Sequence, residues 1–473
     1  MMTPWGALAV ELTAGVWILA LLAAELALPR ARAGLLWGLA MAGVLACGGW
    51  LLAQQVAGGA VRVHDLFVAD AFSRYFKTLF LVTAGVVLVM LRAFQARLPG
   101  GAGAFYLLFF TAVLGTLVLA SAQDLLLLFL GLELLTFSLY IMAAYLWTDA
   151  RAVEAGMKYL ILGSVSSGFL VYGIALLYGF AGTTHFPMIA AALADGATPA
   201  AVAGALLVLA GLGFKVAAVP FHLWVPDVYE GAPTPVVAFL SVGSKMAGIV
   251  AMARLLYGAL APLAPVWGEV LAALAAATML YGNLGAIPQT NIRRLLGYSS
   301  IGHAGYLLMG LSTGTLAGAQ AVGFYLLAYL VSNLAVFLVI VVAGDALGGD
   351  GLDRYRGLSK RSGFMAAAMF LGLLSLAGVP PLAGFVGKLL VLLRTAESRR
   401  LWLVAIGAVN VAISLYYYLM IIKRIYFDPP ADAAPIRVAL LPRLVLAALM
   451  LGILAIGIVQ QPFLAAVAAS GHP

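Results

Sequence analysis

Apolar runs of about twenty residues follow one another from Leu8 to Gln460, with only short polar breaks between them. A helix needs about that length to cross a bilayer, and in hydrocarbon each backbone N–H and C=O must be satisfied within the chain. The chain is therefore read as all-α and polytopic, with about fourteen transmembrane helices. Of its 473 residues 64% are hydrophobic and 9% charged, with a mean hydropathy of +1.09. A soluble domain carries about 25% charged residues, so almost no mass is left for a domain outside the membrane.

The approximate spans are 8–28, 34–53, 73–91, 104–121, 124–146, 156–180, 200–219, 235–258, 266–287, 291–311, 318–343, 364–394, 401–425 and 438–460. The first is too long for a signal segment and has no basic stretch or small-residue cleavage site around it, so it reads as a retained helix. The longest connections are 54–72, 181–199 and 344–363; in the second, Met188–Leu193 has the character of a short surface helix.

Five charges break the apolar pattern: Glu133, Lys158, Lys215, Lys245 and Lys388. Insertion scales set such a charge at ~3 kcal/mol in mid-bilayer, and simulations set it higher. Groups that costly face one another or face water, which makes a buried polar path, and movement of protons or ions along it, the first function to test. Glu133 lies about nine residues, or roughly 14 Å, into its helix. A carboxylate that only locks helices together is the alternative there. Lys245 is ~15 Å into its helix counted from Pro235. Lys158 is nearer a helix end, where its amine can snorkel to the surface. An unperturbed imidazole titrates near neutral pH, which makes His222 and His303 candidates, and His303, near mid-helix, is the preferred bridge between the lysines. Asp124 reads as an N-cap, Glu11 and Glu25 as end residues reaching headgroups, and Tyr416-Tyr417-Tyr418 in part as an interfacial anchor.

Two helices are interrupted. Gly213–His222 and Leu376–Lys388 each hold a Val-Pro break with a lysine within eight residues. Proline removes an amide donor, and the freed carbonyls are tolerated at depth only where protein or water satisfies them. Paired breaks at matching places point to two inverted five-helix repeats. The expected division is an N-terminal three-helix segment 1–103, a first repeat 104–258 with its break near 219–222, a second repeat 259–425 with its break near 378–384, and a C-terminal helix 426–473.

The net charge is +8. In a membrane chain this indicates basic cytoplasmic loops, not nucleic-acid binding. With the N-terminus outside, fifteen Lys/Arg fall at the inner side, including Arg30 and Arg32, and seven at the outer side, including Arg74, Lys77 and Arg254. Both termini are expected outside. Arg394, Arg399 and Arg400 run against the rule. Cys47 is the single cysteine, so no internal disulfide forms, and the five histidines have no metal-ligand spacing.

The run Pro220-Phe221-His222-Leu223-Trp224-Val225-Pro226-Asp227-Val228-Tyr229-Glu230-Gly231-Ala232-Pro233-Thr234-Pro235, continuing to Ser244-Lys245, resembles the antiporter-like membrane subunits of respiratory complex I, in the form found in the subunit N branch. Asn291–Ile301 and Gly378–Phe385 fit the same family, and the likeness extends over the whole chain. It implies a proton-translocating subunit of a bacterial NADH:quinone oxidoreductase in the cytoplasmic (inner) membrane. It also implies roles: Glu133 and Lys215 as the input pair, Lys245 as the connection between halves, Lys388 at the exit, and Lys158 as a further lysine of that branch. No cofactor is implied on this chain. FMN, iron–sulfur clusters and quinone are expected in partner subunits, with subunit M, subunit K, other membrane-arm subunits and lipid as neighbours. A multisubunit cation/proton antiporter, a membrane-bound hydrogenase or a ferredoxin-dependent complex is the alternative setting, and a purely structural role is a third reading.

Overall fold

The computed structural model describes residues 3–27, 33–99, 102–430, 432 and 434–473. Arg30 and Arg32 of the charge count, and Leu28 at the expected end of the first span, lie outside them.

The chain is a bundle of long helices. In order they are α1 (Ala9–Ala27), α2 (Ala33–Ala57), α3 (Ala71–Phe94), α4 (Gly103–Ser121), α5 (Leu125–Ala143), α6 (Ala150–Ala181) and α7 (Pro199–Val216). There follow α8 (Thr234–Tyr257), α9 (Ala264–Ala286), α10 (Ile292–Leu311) and α11 (Leu316–Leu347). The last are α12 (Gly363–Ala377), α13 (Ala383–Glu397), α14 (Leu401–Tyr426) and α15 (Leu440–Ile458). Among the described residues twelve helices are long and apolar enough to cross a membrane. The α10 helix has the length but carries Arg293, Arg294, Ser299, Ser300 and His303, which lower its hydropathy. The α12 and α13 helices are short because a break divides them.

Helix starts follow local chemistry. Asp124 accepts from the Leu126 and Leu127 amides and so is the N-cap it was expected to be. Asp70 and Ser73 form a capping box at α3, and Asn291 caps α10. The 54–72 connection holds a two-stranded antiparallel hairpin, Val61–Val63 with Phe67–Ala69, and the 181–199 connection holds a short helix, Phe186–Ala194.

The α8 helix is wholly buried and α11 nearly so, whereas no more than a third of α1, α2, α6 and α15 is buried. The core is thus built around α8 and α11. Glycines permit the closest crossings: a Cβ on Gly282 of α9 would lie 2.3 Å from the Gly302 nitrogen of α10. Such small-residue contacts drive helix association where lipid supplies no hydrophobic force.

Both breaks fall where expected, and each is closed by specific donors. After α7 the chain turns through Ala217 in the left-handed region (φ 67), and the Trp224 indole donates to the Phe214 carbonyl at 3.1 Å. The Val219 amide donates to Thr278 at 3.0 Å, and a short helix, Val225–Gly231, follows. After α12, Gly378 takes φ 90, a conformation open to glycine without a Cβ penalty. The Ser375 hydroxyl accepts from the Gly384 amide at 3.0 Å, and Lys388 donates to the Ala377 carbonyl at 2.9 Å.

Several end residues are not where the sequence placed them. Glu11 does not reach headgroups: it is buried against Lys77, with Nζ and Oε1 2.6 Å apart. Arg254, counted among outer-side charges, is buried and holds both Asp70 carboxylate oxygens and the Ala120 carbonyl. Tyr417 and Tyr418 are buried rather than interfacial, while Tyr416 is 55% exposed. In each case a partner on another helix removed the group from the surface, and helix-end counting cannot see such a partner.

Candidate functional site: a buried row of basic side chains

Glu133, on α5, is half-buried, and its carboxylate accepts from Ser167 of α6 at 2.6 Å. Thr136 lies one turn further along the same face. Its hydroxyl donates to the Leu132 carbonyl and accepts from the Lys215 amine of α7 at 3.0 Å. No ion pair within 4.0 Å joins Glu133 to Lys215. Lys215 rests on Thr136 instead, and the two charges remain in electrostatic range.

The stem of Lys215 runs along α8. A Cβ on Gly248 would lie 3.1 Å from the Lys215 Cγ, and Gly248 is three residues past Lys245. Lys245 follows a π-turn, Leu240–Ser244, inside an otherwise α-helical span. Single π-turns in helices are frequent at functional sites. The Lys245 amine donates to the Ser300 carbonyl and hydroxyl on α10, and that hydroxyl pairs with Tyr229 at 2.9 Å.

One turn along α10, His303 has a phenol on each ring nitrogen: Nδ1 to Tyr325 of α11 at 2.6 Å and Nε2 to Tyr418 of α14 at 3.1 Å. Tyr418 also bonds Ser299. Tyr325 packs against Gly387, the residue before Lys388. Besides the Ala377 carbonyl, the Lys388 amine meets Ser414 at 3.5 Å and sits 5.1 Å over the Tyr306 ring.

Lys215, Lys245, His303 and Lys388 are each 4% exposed or less and come from four different helices. They lie in the buried interior between Glu133 and the second break, each held by its own hydroxyl, carbonyl or ring partners. Every amine in the row has a hydroxyl, carbonyl or ring partner, so no charge meets lipid alone.

Two expected members stand apart. Lys158, with its side chain 43% exposed, pairs with Asp227 at 2.6 Å and Glu154 at 2.8 Å; Arg294 joins the same cluster through Asp227 and Glu230. His222 is buried in the first break against Tyr281, ring centroids 4.1 Å apart, and neither ring nitrogen has a hydrogen-bond partner among the described residues. The structure brings neither to the row. Sequence reading passed over Thr136 and Tyr325, and gave Tyr229 and Tyr418 no place beside the basic groups. Spacing could have flagged only Thr136, three residues from Glu133, because the others arrive from distant helices.

A polytopic bundle with basic side chains strung through its centre between two interrupted helices defines an intramembrane carrier of protons or ions by class. The pattern of the family described as NADH:quinone oxidoreductase/Mrp antiporter, TM, matches residues 122–414, more than half of the chain, and the chain belongs to that family. It is 43% identical over 437 residues to NADH-quinone oxidoreductase subunit N of Moorella thermoacetica, covering 91% of each protein. Its fold is similar to a chain of respiratory complex I from Thermus thermophilus, with a TM-score of 0.84, 32% identity, and coverage of 98% of this chain and 100% of that one. It is also similar to a chain of a membrane-bound sulfane sulfur reductase, an archaeal respiratory membrane complex, with a TM-score of 0.88, 26% identity, and coverage of 99% and 97%.

Proposed function

We propose that this chain is a proton-translocating membrane subunit of an NADH:quinone oxidoreductase, and that protons move along Glu133, Lys215, Lys245, His303 and Lys388. The observation that carries the reading is the row itself, three buried amines and a histidine on four helices, each held by hydroxyl or carbonyl partners. The 43% identity to a subunit N supports the redox setting. Flavin, iron–sulfur and quinone chemistry then belongs to partner subunits, and subunits M and K are the proposed membrane neighbours. The repeats are 104–258 and 259–425, the membrane is the bacterial inner membrane, and both termini face outward.

In this reading the input step is a change of charge at Glu133 felt electrostatically by Lys215, whose amine rests on Thr136. Lys215 gives up or gains a proton as its neighbour's charge changes, and the proton passes by Lys245 and His303 to Lys388. Moving one charge across the whole potential costs ~2.3 kcal/mol per 100 mV, which redox chemistry elsewhere must supply. Lys158 serves at the ion cluster with Asp227, and His222 in the first break, without a hydrogen-bonded step in the row. The test is Lys215→Ala and Glu133→Ala in the assembled complex in vesicles. Both lower the protons moved per NADH oxidised; unchanged values refute the assignment. Copurification with flavin and iron–sulfur subunits separates this setting from a cation/proton antiporter.

A further inference from the structure

We infer that Tyr418 is a positioning residue of the proton route, its hydroxyl holding the His303 ring and joining it to Ser299, the sequence neighbour of the Ser300 that receives the Lys245 amine. The inference rests on the function proposed above. Tyr418 is buried, and its oxygen touches two groups of α10: the Ser299 hydroxyl and, at 3.1 Å, His303 Nε2. Its neighbour Tyr417, with its ring centroid 4.5 Å from that of Tyr418, instead donates to Asn283 at 3.0 Å, within a polar bolt that includes Asn410. Adjacent tyrosines on one helix thus do different work.

The donor arithmetic is restrictive. A neutral imidazole has one N–H and one bare nitrogen. With a phenol on each nitrogen, one tyrosine must donate and the other accept. If Nε2 is bare, Ser299 donates to Tyr418, Tyr418 donates to Nε2, and Nδ1–H donates to Tyr325. If Nδ1 is bare, each of these bonds reverses. The set therefore has two self-consistent states, and one proton converts the first into the second. It enters on the Ser299 oxygen; the Ser299 proton passes to Tyr418, the Tyr418 proton to Nε2, the Nδ1 proton to Tyr325, and the Tyr325 proton leaves. Each group gains one proton and loses one. On the exit side, the backbone and ring edge of Tyr325 pack against Gly387, the residue before Lys388. Without the Tyr418 hydroxyl, Nε2 has no hydrogen-bond partner among the described residues and the ring is held only at Nδ1, by Tyr325.

The experiment compares Tyr418→Phe, Tyr417→Phe and Lys245→Ala in the complete complex, reconstituted in vesicles, with NADH-driven proton uptake measured against NADH oxidised, in H2O and D2O. Tyr418→Phe is expected to abolish as much proton uptake as Lys245→Ala, with a changed solvent isotope effect, and Tyr417→Phe to behave as the unaltered protein. If Lys245→Ala loses uptake while Tyr418→Phe keeps it and its isotope effect, the inference is overturned and the proposed function stands. If Lys245→Ala also keeps full uptake, the function falls and the inference with it. Should Tyr418→Phe fail to assemble, Tyr325→Phe removes the other hydroxyl on the same ring; full uptake there overturns the inference equally.

Discussion

The buried Glu11–Lys77 pair offers a test of the packing that needs no redox partner. The amine and carboxylate lie 2.6 Å apart, one fully buried and the other nearly so, and the Phe67 ring covers the amine at 4.8 Å. Neither charged group has another ionic partner among the described residues. Removing one leaves a buried, uncompensated charge, which costs about 3–5 kcal/mol, whereas replacing both with apolar groups of similar size is neutral or stabilising by about 1–4 kcal/mol. Glu11→Leu and Lys77→Met should each loosen α1 from α2 and α3, and the double substitution should restore the contact. Cys47 is a built-in reporter. It is the single cysteine, it is buried, and its Sγ lies 3.7 Å from the Val10 carbonyl, next to Glu11. A loss of ~3 kcal/mol raises the open fraction about a hundredfold. Maleimide labelling of Cys47 in detergent should therefore accelerate about a hundredfold or more in either single variant and return to the original rate in the double. If the double variant labels faster than both singles, or Glu11→Leu labels at the original rate, the reasoning is wrong.

Thr136→Val keeps the shape of the site but removes the hydroxyl that receives the Lys215 amine, so it should lower proton uptake per NADH; Thr136→Ser should retain it. Gly282→Val places a side chain on the Gly302 backbone and should prevent assembly of the chain into its complex, read on a native gel. Asp70→Asn weakens the buried Arg254 pair, whose loss costs about 3–5 kcal/mol when one partner is removed, and should lower the temperature at which the purified chain aggregates.

How much the sequence revealed depended on how local the cause was. Both breaks were legible because Val-Pro dipeptides act on their own backbone, and α12 ends at Ala377, just before the Gly378-Val379-Pro380 turn. The Asp124 cap was legible for the same reason. Buried lysines could be read as a set, because the cost of each charge in hydrocarbon does not depend on knowing its partner. The partners themselves could not be read. Thr136 reaches Lys215 across 79 residues, and His303 reaches Tyr418 across 115, so only the fold brings them together. Lys158 shows the opposite limit: it lies in an apolar stretch, yet Asp227 draws its amine into an exposed ion cluster. Its position along the helix left both readings open, and a residue from the far side of the first break decided between them.

The central claim is that the buried row conducts protons, and Lys388 tests it most directly because it lies at the far end from Glu133, beyond the second break. The measurement is the number of protons taken up per NADH oxidised by the reconstituted complex carrying Lys388→Ala. The account predicts a clear fall in that ratio with the complex still assembled. An assembled complex with an unchanged ratio would contradict it.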